Sequence, residues 1–147
     1  MIEKSVVDII ADIKKEEHSK IDEEKPLYHK NCGETLIEAL SVKYEIDIDT
    51  KAFKMLAPYG FGLNSGKTCG AFAGGIAAIG LMFTEDKPST NDKMKEIVKK
   101  WVEVYTKKFG SIDCEYIRPR YKDPIRGCLK VQEEAGKLFE EFIKEYI

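Results

Sequence analysis

The stretch Cys69-Gly-Ala-Phe-Ala-Gly-Gly-Ile-Ala-Ala-Ile-Gly-Leu-Met-Phe83 carries no charge and is built largely of glycine and alanine. A segment this apolar has to be covered. It is shorter than the roughly 20 apolar residues that cross a bilayer, so a membrane span is not expected. In a helix interior each glycine costs about 1 kcal/mol relative to alanine. What such small residues offer in return is close approach of neighbouring backbones, or of a bulky prosthetic group. The stretch therefore predicts a buried central helix over 69–83, around which the rest of the chain packs.

The rest of the chain reads as helical. Ile2, Val6, Ile9, Ile10 and Ile13 recur at i, i+3 and i+4 over a first segment from about Glu3 to Glu17. The charged run Lys20 to Lys25 ends at Pro26 and reads as a connection. Asn31, with Glu34 three residues on, predicts a capped helix start. Leu36, Ile37, Leu40, Val42 and Tyr44 form the apolar face of that helix. Asp49 or Thr50 caps a short helix over 51–57, stopped by Pro58. Ser89 or Thr90 caps a helix over 90–108 whose stripe is Met94, Ile97, Val98, Trp101, Val102 and Tyr105, and Gly110 ends it. Residues 111–128, with Pro119, Pro124 and Gly127, read as irregular. A last helix over about 127–146 buries Val131, Ala135, Leu138, Phe139, Phe142 and Tyr146. The expected fold is all-α: a compact single-domain bundle, residues 1–147, of about six helices around the small-residue helix.

Charge and cysteine content limit the function. With 24 Lys and Arg against 26 Asp and Glu, the net charge is -2, which argues against a broad nucleic-acid surface. Four cysteines in 147 residues are far below the density of a disulfide scaffold. Glu3, Lys4 and Asp8 interrupt the apolar N-terminus, so no signal peptide is read. The cytoplasm, where thiols stay reduced, is the expected compartment.

Gly66-Lys67-Thr68 looks like the end of a phosphate-binding P-loop. Such a loop needs glycine five positions before Gly66, and Phe61 stands there; the preceding residues are also a poor strand. Nucleotide hydrolysis is therefore not the reading. The loop instead sets the start of a helix with Cys69 in its first turn. Unpaired amides there favour a thiolate, and Lys67 adds to this, so Cys69 is the candidate reactive or ligating thiol.

Cys32, Cys69, Cys114 and Cys128 are separated by 37, 45 and 14 positions, with no CxxC pair. Cys32 follows Asn31, Cys69 follows the glycine loop and Cys128 follows Gly127, each at a predicted helix start. Cys114 lies in the irregular segment, where Asp113 and Glu115 are expected to raise its pKa. His29 and His18 read as solvated, as do Arg118, Arg120 and Arg126, and Trp101 reads as core. Spacing alone leaves a shared site and four unrelated buried thiols both open.

Cys32, then Cys69-Gly70-Ala71-Phe72-Ala73-Gly74, then Cys114 and Cys128 resemble the pattern of the C_GCAxxG_C_C putative redox-active protein family, over roughly Asn31 to Ala135. Thr68 and Gly70 stand at the first Gly and the Ala of that motif, and Gly74 comes one residue after its last Gly. The resemblance extends to part of the split-Soret type of cytochrome, in which an iron–sulfur centre accompanies haem. No CxxCH occurs, so covalent haem is not expected. The resemblance implies a redox-active protein. An iron–sulfur cluster held by Cys32, Cys69, Cys114 and Cys128, with Gly70 and Gly74 giving it room and an unidentified redox partner protein, is the first expectation. A thiol–disulfide protein using Cys69 with a second cysteine, a four-cysteine structural zinc site and a helical module without a site are the alternatives. A homodimer is left open.

Overall fold

The structure, a computed structural model, describes residues 1–147. It contains eight α-helices and no strand: α1 (Val6–His18), α2 (Lys25–Tyr28), α3 (Cys32–Lys43), α4 (Thr50–Phe53), α5 (Gly70–Phe83), α6 (Asp92–Phe109), α7 (Cys114–Tyr121) and α8 (Leu129–Ile143). The all-α expectation holds, with more helices than the six read from periodicity. The additional ones are short. Pro26 sits in the first turn of α2, where its missing N–H costs nothing, so the charged connection closes with a helical turn. The segment read as irregular contains α7, which runs through Pro119.

Local chemistry sets several ends. Ser5 caps α1 by accepting from the Asp8 amide. At α3 the Asn31 side chain accepts from the Glu34 amide while Glu34 accepts from the Asn31 amide, a complete capping box. Asp49 caps α4. The start of α6 lies at Asn91 rather than at Ser89 or Thr90, because residues 88–90 close a 3₁₀ turn first. The Asn91 side chain accepts from the Glu85 amide instead of capping its own helix.

α5 is the central helix, and it packs most extensively against α3. Gly74 lets α3 approach: a Cβ there would lie 3.0 Å from the Gly33 carbonyl oxygen and 3.1 Å from the Leu36 Cβ. On another side Trp101 of α6 lies against Gly75, with its Nε1 donating to the Phe72 carbonyl at 3.2 Å. Phe72, Trp101, Tyr105, Phe139 and Phe142 continue as one aromatic cluster across α5, α6 and α8. A single core of 25 buried apolar residues, Val6 to Ile143, results. Val42, expected on the buried face of α3, is exposed, since α1, α5 and α8 cover the other sides of that helix. No helix is long and apolar enough to cross a membrane.

Candidate functional site

All four cysteines stand at helix starts. Cys32 and Cys114 open α3 and α7, while Cys69 and Cys128 are the residues immediately before α5 and α8. Cys69 is thus one position earlier than a first-turn residue, and Cys114 joins the pattern that the sequence displays only for the other three. The four starts converge. Cys32, Cys69, Cys114 and Cys128 line one cavity of about 330 Å³, together with Gly70, Tyr59, Phe61, Gly62, Arg118 and Gln132 among others. Helix N-termini turn unpaired amides outward, so the convergence places several such ends around one volume.

Backbone contacts hold this arrangement. The Asn31 side chain, beyond capping α3, donates to the carbonyls of Leu56 and Ala57 and ties the helix start to the 54–59 turn. The Cys69 amide donates to Ile112 at 2.7 Å and the Cys114 amide to Lys67 at 2.6 Å, which staples the two cysteine segments together. Between them the loop runs through positive φ at Phe61, Gly62, Leu63 and Asn64. Gly62 is required there: a Cβ would lie 2.4 Å from the Lys67 carbonyl oxygen and 2.7 Å from the Cys114 Cβ. Three non-glycine residues among four successive positions in the left-handed region store strain, which persists only where surrounding contacts over-determine it.

The thiols differ in setting. Cys69 is buried, and its Sγ shares a hydrogen bond of 3.2 Å with the Tyr105 hydroxyl. Burial, with the nearby Cys69 sulfur, pushes the Tyr105 phenol well up, so it keeps its proton. Cys32, Cys114 and Cys128 are half-buried. The Gln132 amide donates to Cys32 Sγ at 3.3 Å. Cys32 and Cys128 line the same cavity, and their shifts run in opposite directions. The Cys32 hydrogen bond, reinforced by the cations Arg118 and Lys122, lowers Cys128 to about 6. The Cys128 sulfur, together with burial, pushes Cys32 well above the ordinary thiol value. Cys114 is raised as expected, but by burial and by the sulfurs of Cys69 and Cys128 rather than by flanking carboxylates. Glu115 is turned to Lys67, 3.4 Å away.

The remaining candidates divide. Gly70 lines the cavity, whereas Gly74 does not and serves the α3–α5 packing. His29 stands at the cavity rim, paired with Glu17 at 2.7 Å, so the solvated histidine of the sequence reading has a buried acidic partner. Arg118 belongs to the cavity, while Arg126 pairs with Glu133 outside it. Sequence reasoning missed Gln132 and Tyr105. Gln132 had a signal, since it lies one helical turn after Cys128 and so shares its face. Tyr105 lies one turn after Trp101, and nothing in its spacing separates a core tyrosine from one that reaches a thiol.

All four thiols are free, and no three His, Cys, Asp or Glu side chains stand close enough to hold one metal ion. Fold and site together define a helical protein with four free thiols around one cavity. The family model described as "Putative redox-active protein (C_GCAxxG_C_C)" matches residues 30–142, a span that contains all four cysteines. The chain belongs to this family. No curated protein and no solved structure matches it.

Proposed function

We propose that Cys32, Cys69, Cys114 and Cys128 hold an iron–sulfur cluster and that the protein transfers single electrons to and from a partner protein. One observation carries the reading: four thiols from four separate helix starts face one cavity of about 330 Å³. Four thiolates are the ligand set of [2Fe–2S] and [4Fe–4S] clusters. A single zinc ion needs each sulfur about 2.3 Å from one point. A cluster carries its own bridging sulfides and so joins sulfurs farther apart than that. When bound, such a cluster supplies reversible one-electron chemistry. The chain's own residues do the rest. Gln132 and Tyr105 donate to the sulfurs of Cys32 and Cys69, and hydrogen bonds of this kind tune the potential of a sulfur-ligated centre. Arg118 and Lys122 offset negative charge at the Cys128 side. A reducing compartment such as the cytoplasm suits the four free thiols.

The test is iron and acid-labile sulfide, with a visible spectrum, on protein purified without oxygen. The expected result is iron and sulfide in near-equal amounts, reduced in each of the four Cys→Ser variants. Full iron content in Cys114→Ser removes that residue from the ligand set.

A second reading starts from Cys32 and Cys128, which line the same cavity and whose shifts run in opposite directions. As a dithiol, Cys128 thiolate attacks a disulfide of a substrate protein and forms a mixed disulfide. Cys32 then displaces it, leaving a Cys32–Cys128 disulfide and the substrate's two thiols. A colourless, iron-free protein whose Cys32 and Cys128 oxidise reversibly as a pair supports this reading over the first.

A further inference from the structure

Charge around the cysteine cavity is of one sign. His29, Lys30, Arg118 and Lys122 line it, and no aspartate or glutamate does. His29 and Lys30 are already paired, with Glu17 at 2.7 Å and Glu38 at 2.8 Å. Arg118 and Lys122 have no carboxylate partner, and neither does Arg120 on the same helix, although eleven ion pairs form elsewhere. The two arginines lie instead on aromatic rings. The Arg118 guanidinium is 4.7 Å from the centre of Phe61, and that of Arg120 is 3.6 Å from the centre of Tyr116. Phe61 is 48% and Tyr116 40% exposed, and Ile125, in the turn that leads to Cys128, is 94% exposed. Arg118, Lys122 and the exposed Phe61 thus share the lip of the cavity, whereas Arg120, Tyr116 and Ile125 stand outside it, in a chain whose net charge is -2.

Such a lip is suited to contact with another protein. A small apolar centre with a charged border is the form of weak, short-lived electron-transfer contacts, which bury less than about 1,200 Å². Complementary charge there governs encounter rate and partner choice more than final affinity. A second copy meeting this face with its own would set Arg118 and Lys122 against their like. We propose that the cavity rim formed by Phe61, Arg118 and Lys122 is the docking face for an acidic electron-carrier protein, which is brought to the Cys128 side of the cavity. This assignment rests on the electron-transfer reading above.

The test is binding of the full-length chain to two probe proteins, an acidic ferredoxin and a basic cytochrome c. Each is titrated at about 20 mM and about 200 mM salt, where screening differs severalfold in range. The acidic probe is expected to bind, and to bind more weakly at the higher salt. Arg118→Glu with Lys122→Glu is expected to weaken it about tenfold. Lys99→Glu with Lys107→Glu, the same charge change on α6, is expected to weaken it less than about twofold. Where charge reversal unfolds the chain by circular dichroism, Arg118→Gln with Lys122→Gln carries the same comparison. Equal binding of the basic probe, no binding of the acidic one, or equal loss in the α6 variant overturns the docking face. Binding is read whether or not iron is present, and iron is measured on the same samples. Absent iron with intact acidic binding fails the cluster, and present iron without binding fails the docking face.

Discussion

The amide nitrogen of Gly33 lies so close to Gly70 that a Cβ on Gly70 would come within 2.9 Å of it. The same Cβ would be 3.4 Å from the Cys32 Cβ. Backbone cannot yield as the tip of a side chain can, so Gly70→Ala has to part the starts of α3 and α5, which carry Cys32 and Cys69. Overpacking of this kind costs about 1–3 kcal/mol. Gly80 lies in the same helix with nothing within 4 Å of its would-be Cβ. Gly80→Ala is therefore expected to stabilise by up to about 1 kcal/mol through helix propensity. Chemical denaturation of both variants checks the pair. Under the cluster reading, the iron content of Gly70→Ala should fall, and that of Gly80→Ala should not.

The Cys32–Cys128 pair makes a pH prediction for the reduced, metal-free protein. Cys128 is lowered to about 6 by its hydrogen bond with Cys32 and by Arg118 and Lys122. Its thiolate is present above that pH and protonated below it. Iodoacetamide should modify Cys128 at half its limiting rate near pH 6, while Cys114, raised by burial, reacts only at more alkaline pH. Cys32→Ala removes the hydrogen-bond partner and should move the Cys128 midpoint upward, toward an ordinary thiol. Mass spectrometry of peptides alkylated across a pH series measures each site. An unchanged midpoint in Cys32→Ala means the two sulfurs do not share a proton.

Glu17 links α1 to the segment that precedes Cys32. It is 5% exposed. Its Oε1 accepts from the Lys30 amide at 3.0 Å and lies 2.7 Å from His29 Nδ1. Its Oε2 faces Lys14 Nζ at 3.0 Å, an ion pair off the hydrogen-bonding line. Burial works upward on the carboxyl, but Lys14, the Lys30 amide and His29 outweigh it, and the net shift is downward. A lowered folded-state pKa stabilises the fold fully above the ordinary carboxylate range, and that stabilisation is lost as pH falls through the folded value. Glu17→Gln is expected to cost roughly 3 kcal/mol at neutral pH, because Lys14 is left half-compensated and largely buried. The gap between the wild type and the variant should narrow as the solution is acidified. Urea midpoints at several pH values test this, and a gap that widens in acid contradicts it.

Much of the fold is legible in sequence because its signals are local. The Asn31–Glu34 capping box, the stripe of α1 and the stop at Gly110 are each read within a few residues, and each is found in place. The uncharged stretch after Cys69 identifies the central helix by composition alone. α7 is hidden because Pro119 and Pro124 read as breakers, although a proline in the second turn of a short helix removes only one donor. Cys114 therefore looked unlike the other three, when it opens a helix as Cys32 does. Convergence of the cysteines is not written in any spacing. It depends on the Gly33–Gly70 approach and on two backbone bonds between segments 67–69 and 112–114, all of which are tertiary. Gly74 shows the converse: a motif glycine read as lining the site serves helix packing instead.

In the proposed cluster, two residues absent from the cysteine pattern should set the potential. Gln132 is 5% exposed; its amide nitrogen donates to Cys32 Sγ at 3.3 Å, and its carbonyl oxygen has no partner. Tyr105 keeps its phenolic proton and so acts as donor to a charged Cys69 sulfur. A donor to sulfur favours the more negative, reduced form. Its removal should therefore lower the midpoint potential. With ~1 kcal/mol of differential hydrogen bonding per donor, the drop is on the order of 40 mV in a one-electron couple. Gln132→Leu and Tyr105→Phe both preserve most of the side-chain volume, so packing changes little. Redox titration of the iron-loaded proteins gives the shifts. The two sites touch different cysteines, so the double variant should show nearly the sum. A variant that loses iron without shifting the potential of the remainder has lost a structural contact, whereas one that keeps its iron and shifts downward has lost a donor.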